Sequence, residues 1–134
     1  MAKNKYVSQY SLPKTAKQKG SWAEDVACQW LISQGLTLKQ KNFYSRYGEI
    51  DLIMSDTSGL VFFEVKYRKN NYFGSAEAAI TAQKCRRLIA AAETYLMVNR
   101  YGNNQPLRFD AVTVVPAIDQ HLDCTINWIK NILC

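Results

Sequence analysis

Gly48-Glu49-Ile50-Asp51-Leu52-Ile53-Met54, a polar turn at Ser55-Asp56-Thr57-Ser58-Gly59, and Leu60-Val61-Phe62-Phe63-Glu64-Val65-Lys66-Tyr67-Arg68 decide the fold. β-branched and aromatic runs on either side of a Ser/Asp/Gly cluster predict two antiparallel strands joined by a hairpin. Side chains alternate between the faces of a strand, so Glu49, Asp51 and Ile53 are expected on one side of the first. On the second, Phe62, Glu64, Lys66 and Arg68 share a side, and Val61, Phe63, Val65 and Tyr67 take the other. With a regular register, Asp51, Glu64 and Lys66 converge on one patch.

Charge inside apolar strands needs a partner. Two carboxylates a few ångströms apart repel each other unless a proton or a cation lies between them. Mg²⁺ takes hard oxygen ligands, commonly one or two carboxylates, and leaves its other positions to water and phosphate oxygens. Such an ion polarises a phosphoryl oxygen and lowers the pKa of a bound water. Lys66 is suited to orient that water or to neutralise charge growing on the phosphate. A cross-strand ion pair on a solvated sheet face, Asp51 or Glu49 with Lys66, is the competing reading. Phe62 on the Glu64/Lys66 side argues against a simply wet surface.

These residues resemble the YraN family of small bacterial endonuclease-like proteins, within the PD-(D/E)xK nuclease superfamily and related to archaeal Holliday-junction resolvases. The resemblance runs from about Gly20 to about Val115. It rests on the spacing of the paired motif, since E-x-K alone would be weak. It implies that Asp51 and Glu64 bind Mg²⁺ or Mn²⁺ and that Lys66 assists the attacking water. A helix-borne Glu commonly completes such sites, and Glu24 in Ala23-Glu24-Asp25-Val26-Ala27 stands where it is expected. Many relatives carry Gly before that Glu, whereas this chain has Ala23. The resemblance also implies a restriction-endonuclease-like αβββαβ core, in which a mixed central sheet is flanked by helices.

Glu24 has a structural reading as well. Ser21-Trp22-Ala23-Glu24 fits the S-x-x-E capping box, which folds the Glu back onto the Ser amide. Helical spacing from Glu24 to Ala27 and Leu31 instead sets it near the apolar stripe, with Asp25 about 100° away. Both uses are compatible.

The chain has 134 residues, a formal net charge of +6 and 48% hydrophobic residues, which fits one globular domain and tolerates a polyanionic partner. Lys3, Lys5, Lys14, Lys17 and Lys19 all precede the first acidic residue. Residues 1–19 therefore read as a flexible basic arm, suited to phosphates or to solubility, and 20–134 as a single nuclease-like domain. Cys28, Cys85, Cys124 and Cys134 contain no CxxC and there is one histidine, His121, so zinc has little support. A polar, lysine-rich start and the lack of a long apolar run predict a cytoplasmic protein.

Elsewhere the pattern predicts a helix from Ser21 to about Gln34 ended by Gly35, and a strand from Leu36 to about Arg46. A long helix is expected from a cap at Ser75 to about Asn99, with Ile80, Leu88, Ala92, Tyr95 and Leu96 inward. A buried strand should span Leu107–Val115, where Asp110 is a structural partner for an arginine. A short edge strand is expected near Thr125–Ile129. Lys84 and Arg87 share a helix face that suits a phosphate backbone, although a solvated basic face is the plainer reading. Arg68 at the end of the E-x-K strand and Tyr72 in the following loop complete the nucleic-acid candidates, Tyr72 by stacking on a base.

The function expected from all this is metal-dependent hydrolysis of DNA phosphodiesters, on branched or structured DNA, by a homodimer. The alternative is a non-catalytic nucleic-acid-binding protein that keeps the fold. Glu49 has no assigned role, being equally suited to a salt bridge with Lys66 or Arg68.

Overall fold

The motif hairpin sits near one side of a six-stranded mixed sheet in the computed structural model, which describes residues 2–69, 81–117 and 123–133. The elements run β1 (Ala2–Val7), α1 (Ala16–Ser33), β2 (Thr37–Ser45), β3 (Gly48–Asp56), β4 (Gly59–Tyr67), α2 (Ala82–Val98), β5 (Leu107–Pro116) and β6 (Asp123–Ile129). The spatial order is β1-β6-β5-β4-β3-β2. Among the described residues, only β4 and β5 pair in parallel, because α2 carries the chain back across the sheet between them. The αβββαβ core predicted from sequence is present, with β1 and a second C-terminal strand added at one edge.

A helix covers each face. On one, Trp22, Val26, Trp30 and Leu31 of α1 pack on Leu52, Phe63, Val112, Val114 and Ile126. On the other, Leu88, Ala92 and Tyr95 of α2 pack on Phe43, Ile50, Ile53, Phe62 and Phe109. Leu88, Ala92 and Tyr95 are the inward residues anticipated for that helix, and Leu96 is half-buried beside them. Among the described residues, no helix is long and apolar enough to cross a membrane.

The β3–β4 turn is fixed by Asp56, whose Oδ1 accepts the amides of Ser58 (2.7 Å) and Gly59 (3.1 Å). Gly59 has φ +145°, and a Cβ there would lie 2.3 Å from the Pro106 carbonyl oxygen. Asp110 is fully buried, as a structural residue. It accepts from Arg108 Nε, Trp128 Nε1 (2.9 Å) and the Asn131 amide (3.0 Å), and Arg108 reaches on to Asp56 at 3.0 Å.

Three expectations are revised. Residues 2–7 of the basic N-terminal segment form β1, antiparallel to β6, so Asp123–Ile129 is not the edge strand. α1 starts five residues before Ser21. Its cap is Thr15, whose Oγ1 accepts from Gln18 N while Gln18 Oε1 accepts from Thr15 N, so Ser21 and Glu24 lie within the helix. α2 begins at Ala82 with Thr81 as its cap; Ser75 and Ile80 lie outside the described residues. Cys28, Cys85 and Cys124 are buried.

Candidate functional site

The β3–β4 ladder runs from Asp56–Gly59 as far as Leu52–Phe63 and ends there. Beyond that pair β3 stays with β2, while β4 stays with β5 from Glu64 to Tyr67. The sheet therefore forks between Asp51 and Glu64. Asp51 Oδ2 closes the mouth of the fork by accepting the Val65 N–H at 2.8 Å. The carboxylate thus takes the place of a backbone acceptor in the ladder.

The fork also breaks the expected alternation. Ile50 packs in the same α2-side cluster as Ile53, while Leu52 and Met54 enter the α1-side core. Asp51 lies at that irregularity. Directly across on β2, between the pairs Lys41–Leu52 and Phe43–Ile50, Asn42 holds φ +51°. Asparagine enters this left-handed region more readily than other side-chain-bearing residues. Its Nδ2 donates to Glu24 Oε1 at 2.8 Å and to Glu49 Oε1 at 2.7 Å. One amide thereby holds together carboxylates from α1 and β3.

Glu24, Glu49 and Asp51 converge so that one oxygen from each lies within 4.8 Å of the others. Burial raises the Asp51 pKa to about 7, and the negative charges of Glu24, Glu49 and Glu64 push in the same direction against the Val65 N–H. Glu24 is also raised, chiefly by burial, with Asn42 opposing. Excess negative charge, half-buried at Glu24 and Asp51 and gathered from two elements, is what a divalent cation relieves. All the donors are carboxylate oxygens, the hard set that suits Mg²⁺ or Mn²⁺. The residues present fit such an ion.

Glu64 and Lys66 lie on the α2 side of β4, opposite Val65 and Tyr67. Glu64 Oε1 forms an ion pair with Lys84 from the first turn of α2, and Lys66 Nζ stands 4.0 Å away. The side chain is 11% exposed, and its second oxygen, Oε2, is buried without a hydrogen-bond partner. Of the residues singled out in the sequence, Glu24 and Asp51 are thus brought together. Glu64 and Lys66 stand at the other limb of the fork, close enough for Glu64 to act electrostatically on Asp51. Lys84 faces into this site as the partner of Glu64. Arg87, one turn along, lines a cleft of about 160 Å³ with Tyr47, Gly48, Glu49, Lys84 and Leu88. Arg68 ends β4 with its amide on the Val114 carbonyl. Tyr72 lies outside the described residues.

Sequence reading missed two members. The company of Glu49 depends on the fork and on α1, neither visible in strand periodicity. Asn42 carried a signal: Asn is disfavoured inside strands and favoured where the backbone turns left-handed.

The fold and site define a mixed α/β protein with a carboxylate cluster at the parting of its central strands. The chain belongs to Uncharacterised protein family UPF0102, whose profile matches residues 23–114, the span that holds Glu24, Asn42, Glu49, Asp51, Glu64 and Lys66. This bears out the resemblance carried by the paired motif. The chain is 49% identical to a UPF0102 protein of Nitrosococcus oceani, over 89% of this chain and 94% of that one. It is 45% identical to one from Janthinobacterium sp. (strain Marseille), over 89% and 90%. A UPF0102 protein of Saccharophagus degradans is 43% identical, over 84% and 89%.

Proposed function

We propose that the protein is a metal-dependent nuclease that hydrolyses DNA phosphodiesters in the cytoplasm. The observation that carries this reading is the convergence of Glu24, Glu49 and Asp51 beside the Glu64–Lys66–Lys84 group at the fork. Glu24, Glu49 and Asp51 are the residues to hold Mg²⁺ or Mn²⁺, with Glu64 beside them. When bound, the ion polarises a phosphoryl oxygen and lowers the pKa of a coordinated water. Lys66 donates a hydrogen bond that orients the attacking water and steadies charge on the phosphate. Lys84 pairs with Glu64 beside the fork. Water's oxygen bonds to phosphorus, the ester P–O bond breaks, and the leaving oxygen takes up a proton.

A protein that only binds nucleic acid gains nothing from clustered carboxylates facing phosphate, which is why the catalytic reading is preferred. Symmetric cutting of branched DNA calls for two copies related by a two-fold axis, so the active form is a homodimer in this reading. The test is incubation of purified protein with branched, flapped and linear DNA in Mg²⁺, Mn²⁺ or EDTA. Cleavage is expected with metal and not with EDTA, and is expected to be lost in Asp51→Asn and Lys66→Ala. Either variant cutting as well as wild type would overturn the mechanism. Binding without cleavage in every metal would leave the non-catalytic alternative.

A further inference from the structure

We infer that the tip of the β2–β3 hairpin, carrying Tyr44, Arg46 and Tyr47, is a stacking platform for unpaired bases next to the carboxylate cluster. The inference rests on nucleic acid being the ligand of that site, and it names the kind: DNA with unpaired nucleotides beside the phosphate held at the fork.

Among the described residues, Tyr44 and Tyr47 are the only exposed aromatic side chains, at 73% and 40%. The other described rings are buried or half-buried against the two cores. Tyr44 is the penultimate residue of β2 and Tyr47 lies in the two-residue turn that follows it, beside the cluster. Tyr44 pairs directly with Glu49 across the hairpin, so the two side chains share a face. Tyr47 lines the cleft that Glu49 also lines, with Lys84 and Arg87 opposite. One carboxylate is therefore common to the cluster, the Tyr44 face and the cationic cleft.

The tip is held in shape before any ligand arrives. Arg46 lies over the Tyr47 ring at 4.8 Å from its centroid and donates from Nη2 to Tyr47 Oη at 2.6 Å. Ser45 Oγ accepts from Tyr47 N at 3.2 Å and donates to the Gly48 carbonyl at 2.9 Å. A guanidinium on a ring makes a flat cationic surface, suited both to a base and to a phosphate. Bases stack on such rings whatever their sequence. In a continuous duplex the base faces are buried against one another, so the platform selects flaps, junctions and single strands. A backbone gripped by Arg87 in the cleft then runs past Glu49 towards the fork.

The test is the affinity of the full-length protein, by fluorescence anisotropy in EDTA, for a flapped oligonucleotide and for an uninterrupted duplex of equal length. Wild type is expected to prefer the flap. Tyr44→Ala/Tyr47→Ala is expected to bind the flap about tenfold more weakly and the duplex nearly unchanged. Tyr44→Phe/Tyr47→Phe, which keeps both rings, should retain the preference. Mn²⁺ binding by calorimetry should be the same in all three proteins. A wild type without preference, or an Ala variant that loses flap and duplex binding equally, overturns the platform. Selective loss in a protein that cuts no DNA would uphold the platform while refuting the nuclease.

Discussion

Asp51 combines two demands that oppose each other. Its carboxylate is needed as an acceptor for Val65, yet burial and three neighbouring carboxylates lift its pKa from 3.8 to about 7. Because the folded-state value is raised, the folded protein binds this proton more tightly than the unfolded chain. The stability so gained is full below the unfolded value and is lost as pH rises through about 7. In EDTA, Asp51→Asn should therefore be more stable than wild type at pH 8, by about 2–4 kcal/mol, and the two should converge towards pH 4. Urea denaturation across that range checks it; a variant less stable than wild type at pH 8 would refute the assignment. Asparagine keeps an oxygen for the Val65 N–H, so the comparison isolates charge. Asn42 offers a second dissection, because its conformation and its amide are separable. Asn42→Gly keeps φ +51° at no steric cost and removes both hydrogen bonds, whereas Asn42→Ala also forces a Cβ into the left-handed region. Ala should be less stable than Gly by about 1 kcal/mol in urea melts. Both should bind Mn²⁺ more weakly than wild type in calorimetry, since Glu24 and Glu49 are no longer held together.

Among the elements, α1 separates an apparent cap from the actual one. Ser21-x-x-Glu24 has the composition of a capping box, but Thr15 and Gln18 make the bonds. Thr15→Ala should cost about 1 kcal/mol, while Ser21→Ala, at an exposed position inside the helix, should change stability by less than about 0.5 kcal/mol. Equal losses in thermal melts would mean that the helix starts where the motif suggested. The difference has a functional side, since a capping Glu24 would be turned back to the helix start, and here it is free to meet Glu49 and Asp51. The motif hairpin, the helix-covered sheet and the partnering of Asp110 with an arginine were all readable from periodicity and from the scarcity of buried charge. The fork was not. Period-two alternation assumes a continuous ladder, and the ladder stops at Leu52–Phe63 for reasons lodged in Asn42, Asp51 and the Val65 amide, which pair across elements. Ile50 therefore shares the α2-side cluster with Ile53, and Glu49 joins Glu24 and Asp51 through Asn42.

For the molecule as a whole, β1 decides how the sheet ends. Its lysines and lack of apolar periodicity read as an arm, yet register with β6 from Ala2–Trp128 to Val7–Asp123 makes residues 2–7 the outermost strand. Tyr6 also packs on the α1-side core, and its carbonyl accepts from Cys124 Sγ. Deleting residues 1–7 should bare the β6 edge and lower the melting temperature. It should also produce concentration-dependent association in light scattering, because an unpaired strand edge templates pairing with another chain. An unchanged, monodisperse protein would show that the strand is dispensable. The fork has a mechanical meaning at this scale. Past the Leu52–Phe63 rung, β2 and the start of β3 part from β4 and are seated on α2 through Phe43 and Ile50, with the tyrosine tip at their far end. The Asp51–Val65 hydrogen bond ties that limb to β4, and Asn42 ties it to Glu24 of α1. How wide the jaws stand is then set by how α2 seats Phe43 and Ile50, so substitutions in that layer retune what the site admits.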